Sequence, residues 1–254
     1  MLQDFTKIPF DIIIQAGQSN SQGYGFGPVD KPYEPDELVW YMNENDTISL
    51  AVEKVANNGV QSNFALPFAR LYIDSGKLAE GRKLLILRAA VGGTGFLDGY
   101  WKPNDVHFLH MMEMTRTALA LNEENRLVAL LWHQGESDAM QKATYDQHYG
   151  HLSTLVHLVR ASFDVPNLPF IAGDLVYDWK DANPETSAPV VEAIRNVCRD
   201  CGCSAFVETD GLKSNMQESD EHPYDWPDDR AHFSRRSVYQ LGERYFEKFV
   251  QIVG

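Results

Sequence analysis

The sequence has few cysteines and no long apolar run, and each absence excludes a class of protein. Its three cysteines, Cys198, Cys201 and Cys203, lie close together, and an odd number cannot form a complete set of internal disulfides. A structural zinc site normally needs four His or Cys ligands. We therefore interpret the cluster as reduced thiols that pack where a helix leads into a strand. No stretch reaches the roughly 18–20 consecutive apolar residues that cross a membrane.

Positive charge is also scarce. The 254 residues include 22 Lys and Arg but 36 Asp and Glu, which gives a formal net charge of −14. Nucleic acids and anionic membranes attract clustered Lys and Arg, so neither is expected as a partner, although a local pocket can still be basic. Residues 1–10 contain no apolar run followed by a small-residue cleavage site. We expect a cytoplasmic protein, or a secreted one if a signal was already removed, and the oligomeric state stays open.

Hydrophobic residues make up 44% and charged residues 23% of the chain, as in ordinary globular domains. Five short runs rich in Ile, Leu and Val are typical of strands that are buried on both faces of a parallel sheet. The runs are Asp11–Gln15, Leu84–Ala89, Leu127–Trp132, Pro169–Gly173 and Ser204–Val207.

Helical patterns alternate with these strands, and the last helix begins after Ser234, a good N-cap residue. The alternation predicts one α/β domain over residues 1–254, built as a three-layer α/β/α sandwich with right-handed crossovers. Two long stretches, Ser21–Asn63 and Gly211–Ala231, are predicted to be irregular.

Polar and glycine-rich segments follow the predicted strands. Because the carboxyl ends of parallel strands meet at one edge of a sheet, where open α/β sheets bind ligands, these segments predict an active-site rim. The segments are Gly17–Asn20, Gly92–Gly95, His133–Asp138, Tyr177–Trp179 and Asp228–Ser234.

Three residues of this rim have the types that acyl transfer needs, namely a nucleophile, a base and an acid that orients the base. Ser19 lies in a tight turn after the first strand, where a serine oxygen can be presented to a substrate. His232 is the candidate base, and Asp229, three residues earlier, can hold one N–H of its ring. Contact with Ser19 requires the last loop to return to the first strand.

Acyl transfer also needs hydrogen-bond donors for the oxyanion, each typically worth ~3–4 kcal/mol of the barrier. The candidates are the backbone N–H groups of Ser19 and Gly93 and the side-chain amide of Gln134. Glu136 could hydrogen-bond to the nucleophile turn and hold it rigid. The candidates for supporting or substrate-binding roles are Gln18, Asn20, Gly92, Thr94 and Glu136.

These segments resemble the sequence blocks of the SGNH/GDSL hydrolases. The similarity is strongest to the sialate O-acetylesterase and acetylxylan esterase group, carbohydrate esterase family 6. The Gln-Gly-Glu-Ser-Asp stretch at 134–138 is its most specific part. Two features depart from the wider superfamily: the Gly-Asp-Ser-Leu signature reads Gly-Gln-Ser-Asn at 17–20, and the residue in place of its oxyanion Asn is Gln134.

The resemblance implies a flavodoxin-like fold with a five-stranded parallel sheet, and a serine esterase that removes acetyl groups from a sugar. It carries the nucleophile to Ser19, the base to His232 and the orienting acid to Asp229, with the oxyanion roles on Ser19, Gly93 and Gln134. It implies an acetyl-enzyme intermediate and requires neither a metal nor an organic cofactor. The expected partner is an acetylated sugar or oligosaccharide, such as a sialate or a xylan.

Other functions remain open at this point. A short-chain carboxylesterase or thioesterase could use the same fold, and a relative that has lost catalysis could simply bind carbohydrate. A glycosidase would pair carboxylates, such as Glu136 with Asp138 or with Asp229. Aromatic side chains near the rim are candidate platforms for a sugar ring. They are Tyr24, Phe26, Phe96, Tyr100, Trp101, Tyr177, Trp179, Tyr224 and Trp226.

Overall fold

The computed structural model describes residues 4–56, 59–219 and 228–254. Within them, seven strands form one central sheet and two form a separate antiparallel hairpin. The strands are β1 (Phe10–Gly17), β2 (Val39–Met42), β3 (Ile48–Leu50), β4 (Lys54–Ala56), β5 (Gly59–Gln61), β6 (Lys83–Arg88), β7 (Arg126–His133), β8 (Phe170–Gly173) and β9 (Ser204–Val207).

The strand order in the sheet is β3-β2-β6-β1-β7-β8-β9, and every neighbouring pair is parallel except β2 and β3. All five strands predicted from the sequence are present. Numbered among themselves, they follow the order 2-1-3-4-5 of flavodoxin-like sheets. The predicted sheet was nevertheless too small, because β2 and β3 extend it beyond β6. These strands come from the stretch predicted to be irregular, and with four and three residues they are too short to show a clear period.

Helices connect the strands and cover the sheet. They are α1 (Ser19–Gln22), α2 (Ala65–Asp74), α3 (Val106–Ala120), α4 (Glu136–Met140), α5 (Tyr145–Ser162), α6 (Tyr177–Ala182), α7 (Pro184–Asp200), α8 (Asn215–Glu218) and α9 (Arg235–Val253). With this strand order and the right-handed crossovers that parallel strands almost always have, α2 and α9 belong on one face and α3, α5 and α7 on the other. Packing agrees with this, because Phe68 of α2 contacts Phe246 and Phe249 of α9 edge to face, and α5 packs against α7.

The hydrophobic core fills the space between the sheet and the helices on each of its faces. The central strand β1 is buried along its whole length, which explains its unbroken apolar sequence. Met111, Met112 and Met114 of α3 are buried as well. The predicted N-cap of the last helix is confirmed, because the Ser234 side chain accepts a hydrogen bond from the backbone N–H of Ser237 at 3.2 Å.

One carboxylate lies inside this core, at the amino end of β1. Asp11 is fully buried, and it accepts hydrogen bonds from Arg82, Arg126 and the Tyr72 hydroxyl, each at 2.7 Å at its shortest. Burial alone would raise the pKa of Asp11, but the bonds from Arg126, Tyr72 and Arg82 outweigh burial and lower the pKa. The Asp11 carboxylate lies at the amino ends of the parallel strands, whereas the predicted rim lies at their carboxyl ends. Its hydrogen bonds therefore stabilise the fold and are remote from the site.

The cysteines are also distant from the rim. Cys198 and Cys201 are buried, Cys203 is partly buried just before β9, and all three are free thiols. Among the described residues, no cluster of three or more His, Cys, Asp or Glu is arranged to bind a metal ion. None of the helices in those residues is both long and apolar enough to cross a membrane.

Candidate active site

Ser19 lies at the carboxyl end of β1, in the turn that opens α1. The turn depends on Gly17, whose φ is +120°, because a Cβ there would lie 2.2 Å from the His133 carbonyl oxygen. The backbone N–H of Gln18 donates to that same carbonyl at 2.9 Å. The chain therefore passes close against β7 and turns sharply, which leaves Ser19 as the first residue of the helix.

His232 and Asp229 form a pair in the loop before α9. The Nδ1 atom of His232 lies 2.8 Å from Oδ1 of Asp229, which also accepts the backbone N–H of His232 at 3.2 Å. An ionised carboxylate only accepts hydrogen bonds, so Nδ1 carries the proton and the lone pair of the ring is on Nε2. The contact predicted from the three-residue spacing is present.

Asn215, which the sequence analysis did not select, holds the other oxygen of this carboxylate. Its Nδ2 donates to Oδ2 of Asp229 and to the Tyr24 carbonyl, both at 2.8 Å, and its Oδ1 accepts the Phe26 N–H at 3.0 Å. The Tyr24 ring stacks on the His232 imidazole at 5.0 Å between centroids. Asn215 therefore connects the loop after α1 to the acid, and Tyr24 covers one face of the base.

Asn20 links the turn of Ser19 to the segment of His232. Its Nδ2 donates to the Ala231 carbonyl at 2.8 Å, and its Oδ1 accepts the Phe233 N–H at 3.1 Å. These two backbone groups lie on either side of His232. Nδ2 also donates to Oε1 of Glu136 at 2.7 Å. One buried amide thus fixes the histidine segment relative to the serine.

Ser19 and His232, far apart in sequence, line the same cavity of about 550 Å³. Gly92 and Gly93 also line it, as predicted for segments at the carboxyl ends of neighbouring strands. Apolar contact surface comes from Tyr24, Met140 and Trp179. The remaining lining residues are Gln18, Gln22, Val91, Glu136, Ser137 and Ala231.

The predicted oxyanion donors occupy different positions. Gly93 has a φ of +72° and open space at its Cβ position, and it faces the cavity. Gln134 is fully buried and is not among the described residues that line the cavity. Its Nε2 donates to Oδ2 of Asp138 at 2.8 Å, which uses one of the two hydrogens of the amide. The oxyanion role of Gln134 stays a prediction.

Asp138 binds both elements that were predicted to hold the oxyanion. Besides Gln134, it accepts the backbone N–H groups of Phe96 at 3.1 Å and Leu97 at 2.9 Å, just after the Gly92–Gly95 segment. His148 approaches it at 3.3 Å. Burial would raise the pKa of Asp138, but its bond with His148 and the backbone donors lower it. Because Asp138 is fully buried and its oxygens are hydrogen-bonded within the protein, it does not fit the role of a glycosidase carboxylate that contacts a sugar.

Glu136 of α4 and Gln18 of the nucleophile turn connect these two segments. Burial raises the pKa of Glu136, although its bond with Asn20 opposes the rise. Its Oε2 atom has no hydrogen-bond partner among the described residues. The Oε1 atom of Gln18 accepts from the backbone N–H of Ser137 at 3.2 Å. The structure therefore gives Glu136 the contact with the nucleophile turn that the sequence suggested.

Thr94 has a structural position. Its hydroxyl donates to the Val91 carbonyl at 2.6 Å and accepts from Nε1 of Trp101 at 2.9 Å. The neighbouring Gly92 donates its backbone N–H to the side chain of Gln22 at 2.9 Å. These contacts fix the shape of the glycine segment from both sides, so Thr94 supports the rim and does not line the cavity.

His133 is a packing residue. Burial lowers its pKa to about 3, so the ring is neutral. The Tyr245 hydroxyl donates to the Trp132 carbonyl at 2.7 Å and lies 3.0 Å from Nδ1 of His133. Because the single hydrogen of that hydroxyl is used in the bond to the carbonyl, Nδ1 of His133 is the donor. Gly173 leaves room for this pair.

Only some of the aromatic residues predicted as sugar platforms line the cavity. Tyr24 and Trp179 line the cavity. Phe26, Phe96 and Trp101 are buried in the protein, so their selection as platforms was wrong. Apolar loop residues that close over a core have the same sequence pattern as residues that bind a ring. Tyr100 and Tyr177 are exposed but do not line the cavity, and Tyr224 and Trp226 lie outside the described residues.

Comparison with known proteins identifies the family of this chain. A family profile described as carbohydrate esterase, sialic acid-specific acetylesterase, matches residues 9–251. The chain belongs to this family. A protein of Escherichia coli strain K12 named probable 9-O-acetyl-N-acetylneuraminic acid deacetylase is 23% identical over 191 residues. That alignment covers 66% of this chain but only 57% of the relative, so the chain matches little more than half of the relative's length.

Solved structures share the fold of this family member. The crystal structure of NanS is 19% identical, with a TM-score of 0.81 and coverage of 96% of this chain and 97% of that one. A protein from Arabidopsis thaliana is also 19% identical, with a TM-score of 0.74 and coverage of 96% and 98%. A carbohydrate acetylesterase from Xanthomonas citri is 13% identical, with a TM-score of 0.60 and coverage of 95% and 56%. At these identities the likeness concerns the fold.

Proposed function

We propose that this protein is a serine esterase that removes O-acetyl groups from a sugar, with Ser19, His232 and Asp229 as its catalytic triad. The observation that carries the proposal is the cavity that Ser19 and His232 share, with Asp229 2.8 Å behind the imidazole. Membership of a carbohydrate esterase family supports the reaction class. The E. coli relative is named for an acetylated sialic acid, and we propose the same kind of substrate here.

In this mechanism Nε2 of His232 removes the proton from Ser19, whose oxygen attacks the acetyl carbonyl carbon. Asp229 keeps the proton on Nδ1 and stabilises the imidazolium that forms. The oxyanion is held by the backbone N–H groups of Ser19 and Gly93, which line the cavity, and the second amide hydrogen of Gln134 remains the predicted third donor. His232 then protonates the departing sugar oxygen, and water hydrolyses the acetyl-enzyme to acetate and free Ser19.

The acyl side of the cavity is expected to be small. An acetyl group needs room for one methyl group, whereas a lipid esterase or thioesterase needs an apolar channel. The described lining is mixed, with Tyr24, Met140 and Trp179 beside Gln18, Gln22 and Glu136. This composition favours a polar leaving group such as a sugar over a long acyl chain.

The first test compares 4-nitrophenyl acetate with 4-nitrophenyl octanoate for the wild-type protein and Ser19→Ala. We expect cleavage of the acetate, little cleavage of the octanoate, and a loss of about 10³-fold or more in kcat for the variant. Trapping a covalent acetyl group on Ser19 by mass spectrometry after rapid acid quench would identify the intermediate. If Ser19→Ala keeps the activity, the triad is wrong. If the wild-type protein cleaves neither ester, the carbohydrate-binding alternative takes its place.

A further inference from the structure

A second cavity, of about 270 Å³, adjoins the one that contains Ser19 and His232. Gln22 and Tyr24 line both cavities, so these two side chains mark the boundary between them. Gln22 is held at this boundary by the N–H of Gly92. The family assignment and the proposed triad do not involve this second cavity.

Two cations line the second cavity, although the whole chain has a net charge of −14. Arg88 ends β6, donates from Nη2 to the Gln22 carbonyl at 2.9 Å, and has its guanidinium 4.9 Å above the Tyr41 ring. A guanidinium has five N–H donors, so these contacts orient Arg88 and leave donors for a ligand. Lys54 begins β4 and is exposed. Among the described lining residues, only Glu44 adds a carboxylate.

Gln15 gives independent evidence that the cavity is built for a ligand. Its side chain lines the cavity, yet the residue is only 1% exposed. Its Nε2 donates to the Ser21 carbonyl, while its Oε1 has no hydrogen-bond partner in the described part of the chain. A buried acceptor without a partner is unfavourable, and a ligand hydroxyl or amide N–H would satisfy it.

We propose that three residues of this second cavity, Arg88, Lys54 and Gln15, form the subsite that recognises the acidic part of the proposed substrate. Arg88 and Lys54 bind the carboxylate of the sugar, and Gln15 accepts a hydroxyl or amide hydrogen from the same molecule. Arginine suits this task because its planar donors match a carboxylate. The inference rests on the proposed esterase function and adds the residues that determine its specificity.

Long-range electrostatics cannot supply this selection. A net charge of −14 repels an anionic sugar at a distance, and salt screens charges that lie beyond about 8–10 Å. Binding of an acidic sugar therefore depends on local contacts, and the half-buried Arg88 beside the reaction cavity provides one. Glu44 lines the same cavity and opposes this attraction.

The test measures acetate release from an O-acetylated N-acetylneuraminic acid and from its methyl ester, in which the carboxylate is neutral. The readout is the ratio of the two kcat/KM values, which cancels any difference in the amount of folded enzyme. We expect a wild-type ratio of about 10 or more, since a hydrogen bond to a charged group typically changes affinity by this factor. Arg88→Gln should bring the ratio close to 1, and Lys54→Gln should lower it by about 2- to 5-fold.

Two further variants sharpen the result. Glu44→Gln removes the opposing carboxylate and should raise the ratio. Lys31→Gln removes one positive charge from an exposed position outside the cavity and should leave the ratio unchanged. A wild-type ratio near 1, or a ratio that Arg88→Gln and Lys54→Gln do not lower, overturns the subsite while the esterase proposal stands. If neither sugar nor 4-nitrophenyl acetate is cleaved, the proposed function itself has failed.

Discussion

Asn20 offers the most direct test of how the site is assembled. Replacing it by alanine removes three hydrogen bonds at once: to the Ala231 carbonyl at 2.8 Å, from the Phe233 N–H at 3.1 Å, and to Glu136 at 2.7 Å. The first two position the backbone on both sides of His232. Asn20→Ala should therefore affect the placement of the base more than the chemistry of any reacting group.

Asn20→Ala should affect stability and activity to different degrees. A buried hydrogen bond contributes a net 0.5–1.5 kcal/mol, so losing three costs about 3 kcal/mol of unfolding free energy. A domain that is stable by about 5–15 kcal/mol remains almost entirely folded after such a loss. A displacement of a catalytic group by about 1 Å lowers the rate about 100-fold. Loss of folded protein therefore cannot account for the expected fall in kcat.

Asn63→Ala is the matched control. Asn63 is also a buried asparagine, and its amide donates to the Tyr41 hydroxyl at 2.9 Å and accepts the Ala65 N–H at 3.0 Å. It does not line the cavity of Ser19. We expect it to lose about 2 kcal/mol of unfolding free energy and to keep kcat within about 3-fold of the wild type, since the placement of His232 is unaffected.

The assay combines guanidinium chloride unfolding with kcat on 4-nitrophenyl acetate for the wild type and both variants. We expect comparable losses of stability and a large difference in kcat. The prediction would be refuted if Asn20→Ala kept kcat within about 3-fold of the wild type, because a 100-fold effect is expected. It would also fail if Asn63→Ala lost as much activity as Asn20→Ala.

Three more predictions concern other parts of the fold. Asp138→Asn should lower kcat by about 10-fold with little change in KM, because the carboxylate holds both predicted oxyanion elements; steady-state kinetics test this. Asp11 has a lowered pKa, so its ion pairs with Arg126 and Arg82 stabilise the fold above pH ~4 and are lost as the pH falls; the stability difference between wild type and Asp11→Asn should shrink in acid. Gly17→Ala should fail to fold or lose activity, because its Cβ would meet the His133 carbonyl at 2.2 Å; circular dichroism and the esterase assay separate the two results.

The sequence predicted the central sheet well because the strands are buried on both faces. A buried parallel strand such as β1 must be apolar along its length, and the alternation with helices then determines the layers. The short strands β2 and β3 were missed for a physical reason. β2 forms because it pairs with β6, which is a tertiary contact that the local sequence does not show. Strands of three or four residues are also too short to have a recognisable hydrophobic period.

The candidate site was predictable where chemistry depends on local spacing. Asp229 and His232 are three residues apart, and the turn that contains Ser19 follows a strand. Asn215 was not predictable in this way, because its contacts with Asp229 and Tyr24 join segments that are distant in sequence. A buried asparagine in a loop gives no signal of its partner until the fold is known.

The residues that link separate segments of the site are uncharged amides. Asn20, Asn215 and Gln18 join separate segments through amides, which donate and accept hydrogen bonds without adding charge. A carboxylate in place of Asn20 would face Glu136 and the Ala231 carbonyl and repel both. Burial raises the pKa of Glu136 and so favours its neutral form. Rigid positioning is therefore achieved with neutral groups, while the Asp229 carboxylate lies directly against the His232 ring.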